Sequence, residues 1–199
     1  MPEPRIAAVI LAAGLGTRFG VQPKMLAPFA GKAMVRHAAE AALASAARPV
    51  MVVLGAHAGP VRAALDGLDL KIVENPDFAA GLSTSLKAGL AALPQETQAA
   101  LVLLGDMPRI GAAHLDGLIA AYRAAEPRPS AVVPVRDQRR GNPVLLDLRL
   151  LKDDLEALSG DCGAGPILNR RIDVMEVPSD SATGFDVDRP DGLDGGGLD

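Results

Sequence analysis

Short, almost unbroken apolar runs recur along the chain, and stretches rich in helix formers follow them. Residues 5–11 (RIAAVIL), 48–54 (RPVMVVL), 99–104 (AALVLL) and 130–135 (SAVVPV) lack the polar alternation of a strand with one wet face. Such runs predict strands covered on both sides, as in the middle of a parallel sheet. Smaller pieces at 70–74, 143–146 and 172–177 predict further strands, and 185–188 a last extended segment. The strand at 143–146 is expected to run antiparallel, because only the polar loop 136–142 separates it from its predecessor. Between these lie predicted helices at 33–46, 58–65, 83–93, 110–125, 148–158 and 165–170. Leu82, Leu86, Leu90 and Leu93 fall on one face of the third, with Ser83 placed as its N-cap. This alternation predicts an α/β protein: a Rossmann-like, doubly wound, mostly parallel sheet in a three-layer sandwich. One domain is expected over residues 1–190, with the glycine-rich 191–199 as a flexible tail.

The first apolar run empties into LAAGLGTRFGVQPK, residues 11–24. Gly14 and Gly16 allow positive φ and close approach of the backbone to a ligand, and amides left pointing outward attract an anion. Arg18 and Lys24 add a forked and a point cation, so the segment reads as a triphosphate cradle. It is not a Walker loop, since Gly20 is followed by Val21 and Gln22. The dinucleotide fingerprint also fits poorly: Phe19 stands where a small residue is needed, and the second strand ends in Leu54 and Gly55 instead of a ribose-binding acid.

Doubly wound sheets bind ligands beyond the carboxyl ends of their strands, so functional residues should follow strands. Asp106, after LVLLG, does so. Asp186 and Asp188 flank Val187 in FDVDRP and would project on one side of an extended chain. Either of them with Asp106 makes the sparse carboxylate site that Mg²⁺ favours when substrate phosphates and water complete its shell. The plain alternatives are a helix cap for Asp106, a solvated turn for Asp186 and Asp188, and an ordinary βα turn for the loop. A phosphate cradle, a metal site and no evident nucleophile suit phosphoryl or nucleotidyl transfer, where catalysis is mostly positioning and charge stabilisation.

Composition narrows the partners. The 199 residues are about half apolar, enough for a substantial core. A net charge of −4, with cations spread along the chain, argues against a nucleic-acid surface. Cys162 is the only cysteine, which excludes an intramolecular disulfide and fits a reducing compartment. The apolar run near the N-terminus is too short for a signal core or a membrane span, so a cytoplasmic protein with no membrane partner is expected. His37, His57 and His114 show no metal-site spacing and read as structural or solvent-exposed, and Cys162 as a small residue in a glycine-rich turn.

LAAGLGTRFGVQPK, GDMP and FDVDRP, in that order, resemble the MobA-like nucleotidyltransferase family, and within it the molybdenum cofactor cytidylyltransferases. NPDFAAGLSTSLKAGL (75–90), GNPVLL (141–146) and LSGDCGAGPIL (158–168) fall where that subfamily has similar blocks. The resemblance implies the nucleotide-diphospho-sugar transferase type of sheet and transfer of CMP from CTP to the phosphate of molybdopterin. It implies Mg²⁺ as cofactor, release of pyrophosphate and transient contact with a molybdoenzyme or its chaperone. It implies that Leu11, Ala12, Ala13, Gly14 and Gly16 surround the nucleotide, that Gly81, Ser83 and Ser85 close over it, and that Arg18 and Lys24 hold the triphosphate. Asp106 would bind the metal together with Asp188, or with Asp186 in its place. Three departures stand out: Asn142 replaces a common His, Gly165 a common Arg, and the segment after Asp188 reads RPDGLDGGGLD where relatives continue into a helix. A guanylyltransferase, a nucleotidyltransferase for another phosphorylated small molecule, and a non-catalytic nucleotide or cofactor carrier stay open. A nicotinamide oxidoreductase is disfavoured by Phe19 and the missing ribose acid.

Overall fold

A computed structural model describes residues 3–16, 19 and 23–184. The apolar runs become the strands β1 (Ile6–Ala12), β4 (Val50–Leu54), β5 (Lys71–Glu74), β6 (Ala99–Leu104), β7 (Ala131–Arg136), β9 (Val144–Asp147) and β10 (Val174–Pro178). The short strands β2 (Pro28–Phe29) and β3 (Lys32–Ala33) form a separate ribbon, and β8 (Arg139–Arg140) pairs with β7. The helices are α1 (Met34–Ala44), α2 (Ala58–Ala64), α3 (Leu82–Ala91), α4 (Ala112–Ala124), α5 (Lys152–Ala157) and α6 (Gly165–Leu168).

The main sheet runs in the order β10-β7-β9-β6-β1-β4-β5. β1 is parallel to both β6 and β4, and β9 is antiparallel to β6 and β7, as its short connection requires. From β1 the chain winds outward through β4 and β5, then returns to place β6 on the other side of β1. The crevice at the carboxyl ends of β1 and β6 is therefore the point where strand order reverses.

Period-two geometry divides the core into two layers. Ile6, Ala8, Ile10 and Ala12 of β1 pack with α1, α2 and α4, while Val9, Leu11 and Ala13 pack with Leu86 of α3, Leu155 of α5 and Leu168 of α6. The same alternation holds in β4, where Val52 and Leu54 face one layer and Met51 and Val53 the other. Burial on both faces explains why these strands read as solid apolar runs.

Several boundaries differ from the sequence expectation for local reasons. The N-cap of α3 is Gly81, not Ser83, and it caps without a side chain. The expected helix at 148–158 begins only at Lys152, because Asp147 Oδ1 accepts the N–H groups of Arg149 at 3.0 Å and Leu150 at 2.9 Å. That carboxylate offers the backbone a turn in place of a helix. The strand expected at 172–177 starts at Val174, and Ile172 is fully exposed. The polar loop at 136–142 holds a tight hairpin whose corner residues, Asp137 and Gln138, both adopt positive φ. The segment 185–188 lies outside the described residues.

Asp147 is buried and also joins α4 to the sheet: its Oδ2 accepts a 2.6 Å hydrogen bond from the hydroxyl of Tyr122, itself 1% exposed. Burial, reinforced by the hydrogen bond to Asp147, pushes the Tyr122 phenol up to about 12. The unfolded phenol ionises near pH 10 and the native one about two pH units higher, so this contribution is complete below pH 10 and is lost as pH rises toward 12. Tyr122→Phe should cost about 1–3 kcal/mol at neutral pH by leaving a buried carboxylate oxygen without its donor. It should also flatten the loss of stability between about pH 10 and 12. Denaturant melts of both proteins across that range measure the two effects.

Candidate active site

The loop after β1 leaves the sheet at Ala13 and turns at Gly16, whose φ is +61°. A Cβ there would lie 2.8 Å from the Lys24 Cβ, so only glycine lets the loop fold back onto the 3-10 turn Lys24–Leu26. Phe19 donates its N–H to Gly16 O at 2.8 Å and buries its ring with Ala27 and Met34. The residue that spoils the dinucleotide fingerprint is thus the anchor that pins the loop.

Gly105 follows β6 and donates its N–H to Leu11 O at 3.0 Å, continuing the pairing of β6 with β1 for one residue. A side chain there would meet Met25 Sδ at 2.9 Å. With that space left open, Asp106 reaches Lys24: Nζ to Oδ2 is 2.5 Å, with side chains only 11% and 13% exposed. The two residues expected to act together therefore meet at the switch-point crevice. Asp106 Oδ1 is buried and has no hydrogen-bond partner among the described residues. A buried carboxylate oxygen left unmet is costly, and a hard cation with oxygen ligands is what such an atom accepts. The site therefore fits a divalent metal, which Asp106 would hold. Arg18, Asp186 and Asp188, expected beside it, lie outside the described residues.

A cleft of about 560 Å³ opens between the first loop and the segment leading into α3. Leu11, Ala13, Gly14 and Gly16 line one side, with Asp106 at the edge of β6. Gly81, Leu82 and Ser85 line the other, with Phe78 and Asp161. Two expected residues are placed elsewhere. Ala12 points into the layer under α1, beneath Gly105, as strand alternation requires. The Ser83 hydroxyl, 1% exposed, donates to Gly160 O at 2.8 Å instead of facing the cleft.

That Ser83 bond belongs to a clasp. Gly160 O also accepts the Ser83 N–H at 3.2 Å, and Asp161 Oδ1 accepts the Leu82 N–H at 3.3 Å. The 160–161 turn thus supplies acceptors for the first amides of α3, the task a capping side chain would otherwise perform. Sequence reasoning missed this because the partners lie 77 and 79 residues apart. A second cavity of about 420 Å³ shares Leu11, Leu82 and Leu104 with the cleft. Its remaining lining includes Arg140, Asn142, Cys162 and Gly165. His37 and His114 serve structure: His37 Nε2 bonds Phe29 O at 2.7 Å, and His114 Nδ1 accepts the Gly111 N–H at the start of α4. His114 also lies 3.0 Å from Asp180, whose carboxyl it holds below the usual range.

Comparison with known proteins decides the family, because residues 8–174 match the MobA-like NTP transferase domain. The chain belongs to that family. Nucleotidyl transfer, with a divalent metal, is the chemistry of its members. A curated relative, nicotine blue oxidoreductase from Paenarthrobacter nicotinovorans, is 35% identical over 191 residues and 93% of each chain. The bifunctional protein GlmU of Azoarcus sp. (strain BH72) is 44% identical over 117 residues, and the alignment spans only 25% of its length. Among solved structures, Rv0371c from Mycobacterium tuberculosis H37Rv superposes with a TM-score of 0.81 at 28% identity, covering 98% of this chain and 97% of that one. Rv0371c has also been solved in complex with manganese, with a TM-score of 0.77 over 96% of each chain. No helix among the described residues is long and apolar enough to cross a membrane.

The clasp makes Gly81 irreplaceable. Its φ is +116°, and a Cβ would lie 2.4 Å from the carbonyl carbon and oxygen of Gly160. Gly160 itself has φ +72° but open space beside it. Gly81→Ala should therefore destabilise by more than the roughly 1–3 kcal/mol of positive-φ strain alone, whereas Gly160→Ala should cost no more than that strain. Equilibrium denaturation of the two variants compares clash with strain directly.

Proposed function

We propose that this chain is a cytoplasmic, single-domain nucleotidyltransferase that moves CMP from CTP to the phosphate of molybdopterin and releases pyrophosphate, with Mg²⁺ as its metal. The observation that carries this reading is the buried Lys24–Asp106 pair at the switch point, with the lone pairs of Asp106 Oδ1 meeting no donor among the described residues. In the proposed reaction an oxygen of the acceptor phosphate forms a bond to the α-phosphorus while the α–β bridging bond breaks. The electron pair leaves with pyrophosphate. The acceptor phosphate, with a second pKa near 6, is mostly dianionic at neutral pH and needs no general base. Lys24, held in place by Asp106, would sit against charge growing on the leaving pyrophosphate, and Arg18 would share that role. A divalent ion held by Asp106, with Asp188 or Asp186, would neutralise phosphate charge when bound. The first loop and the segment at 81–85 would hold the nucleotide and limit water access.

The second cavity is the natural place for the acceptor, since it meets the nucleotide cleft along Leu11, Leu82 and Leu104. Asn142 and Gly165, where this chain departs from the molybdopterin enzymes, both line it. That observation keeps another phosphorylated small molecule in view as acceptor. Contact with a molybdoenzyme or its chaperone would follow only if the acceptor is molybdopterin.

A second reading has one specific support, the 35% identity to a protein named as an oxidoreductase. Against it stand the buried Phe19 in the first loop and the end of β4 at Leu54, with Gly55 next and no ribose-binding acid. Incubation with CTP, Mg²⁺ and molybdopterin should yield pyrophosphate and a CMP adduct. Transfer from GTP alone would move the protein to the guanylyl branch. Oxidation of a reduced nicotinamide with no pyrophosphate from any nucleoside triphosphate would replace the proposal. Asp106→Asn, which keeps the shape and removes the charge, should lower kcat by about 10²–10³. A carrier would show no turnover to lose.

A further inference from the structure

Asn75 follows β5 and is 4% exposed, and both N–H donors of its side-chain amide are used. Its Oδ1 accepts the N–H of Asp77 at 3.0 Å, and its Nδ2 donates to Thr84 Oγ1 at 2.9 Å and Ser85 Oγ at 3.0 Å. The orientation of the amide is set by the chain itself: an N–H cannot donate to an NH₂ group, so Oδ1 must face Asp77 and Nδ2 must face the two hydroxyls. Both hydroxyl oxygens are therefore acceptors toward Asn75, and each must send its own proton elsewhere. Thr84 has carbonyls for that purpose, Gly81 O at 2.8 Å and Asp77 O at 3.0 Å. Ser85 has no protein acceptor among the described residues. It is 4% exposed and lines the cleft.

We infer that Asn75 is a positioning residue, which by donating to Ser85 fixes that hydroxyl as a hydrogen-bond donor aimed at an oxygen or nitrogen lone pair of the bound nucleotide. The inference rests on the proposed nucleotide cleft and adds the polarity of one of its contacts. The contact is to the nucleoside part. Lys24 reaches the crevice from the layer of α1 and α2, whereas Ser85 stands on α3 in the opposite layer, with apolar Leu11, Phe78, Leu82 and Leu104 also lining the cleft. A neutral donor among apolar neighbours, with the Asp161 carboxylate on the same side of the cleft, suits a base or ribose acceptor and not a triphosphate.

Asn75→Asp tests this with little change of shape. It keeps an acceptor for Asp77 N–H and presents a second acceptor to Ser85, so the Ser85 proton turns inward and the cleft loses its donor. Calorimetric titration with CTP and Mg²⁺ should show Kd raised about 5- to 20-fold, the size of one hydrogen bond. Ser85→Ala should show the same loss, and the double variant no further loss. Tripolyphosphate, which lacks base and sugar, should bind all variants as it binds the wild type. Unchanged CTP affinity in Asn75→Asp, additive losses in the double variant, or an equal loss for tripolyphosphate would overturn the inference and leave the nucleotide reading intact. If Asn75→Asp does not fold, Ser85→Ala decides by the same titrations: unchanged CTP affinity overturns the inference. A wild-type protein that binds no nucleotide overturns the reading itself, and the inference with it.

Discussion

Removing a lysine ammonium and a carboxylate from water costs several kcal/mol each, and their attraction across a short contact offsets that cost only while both remain in place. Lys24 and Asp106 are in that position, 2.5 Å apart with little solvent access. Because one residue follows β1 and the other follows β6, the pair ties together the two loops that the winding of the sheet places at its switch point. Neither loop can drift without exposing one charge to an apolar surround. The result is a preorganised cationic group beside a carboxylate that still has one oxygen unmet. A cation brought in with phosphates would relieve that residual cost.

The two walls of the crevice obey different rules. On the α1 side the chain has a charge to stabilise and uses a buried ion pair, anchored by Phe19 packing on Ala27 and Met34. On the α3 side no cation lines the cleft among the described residues, and order comes from hydrogen bonds: Gly160 O and the Asp161 carboxylate over the first amides of α3, and the neutral amide of Asn75 beneath its first turn. A triphosphate with a base attached has the same polarity along its length, anionic at one end and neutral at the other. The two walls come from different parts of the chain, the loop after β1 with Asp106 after β6 on one side and the segment leading into α3 with Asp161 on the other.

Much of this was legible in the chain before folding. Two-sided burial left its mark as solid apolar runs, and the short loop before Val144 announced the antiparallel strand. Lys24 and Asp106 were legible because glycines flank the turns that carry them. What escaped were interactions that local pattern does not encode. Ser83 carried an ordinary capping signal, but Gly160, distant in sequence, already satisfies that end of α3, so the hydroxyl serves the clasp instead. Asn75 carries no local sign of its partners; its bonds to Thr84 and Ser85 depend on where β5 ends relative to α3. Asp147 shortened α5 by taking two amides for itself, a choice visible only once Tyr122 fixes its carboxylate.

Family membership and a relative's name pull in different directions here, and the fold cannot arbitrate, since one scaffold hosts unrelated chemistries. The site can. Hydride transfer between a nicotinamide and an organic acceptor gains nothing from a buried carboxylate oxygen that meets no donor among the described residues. Transfer between phosphates, as proposed for this site, would use that carboxylate and the lysine paired to it at once, one to meet a cation and the other to meet departing charge. A chain that had abandoned nucleotidyl chemistry would carry the desolvation cost of Lys24 and Asp106 with no return, and replacement by apolar residues of similar size is often neutral or stabilising. Keeping the pair buried at the switch point is, physically, a commitment to anions.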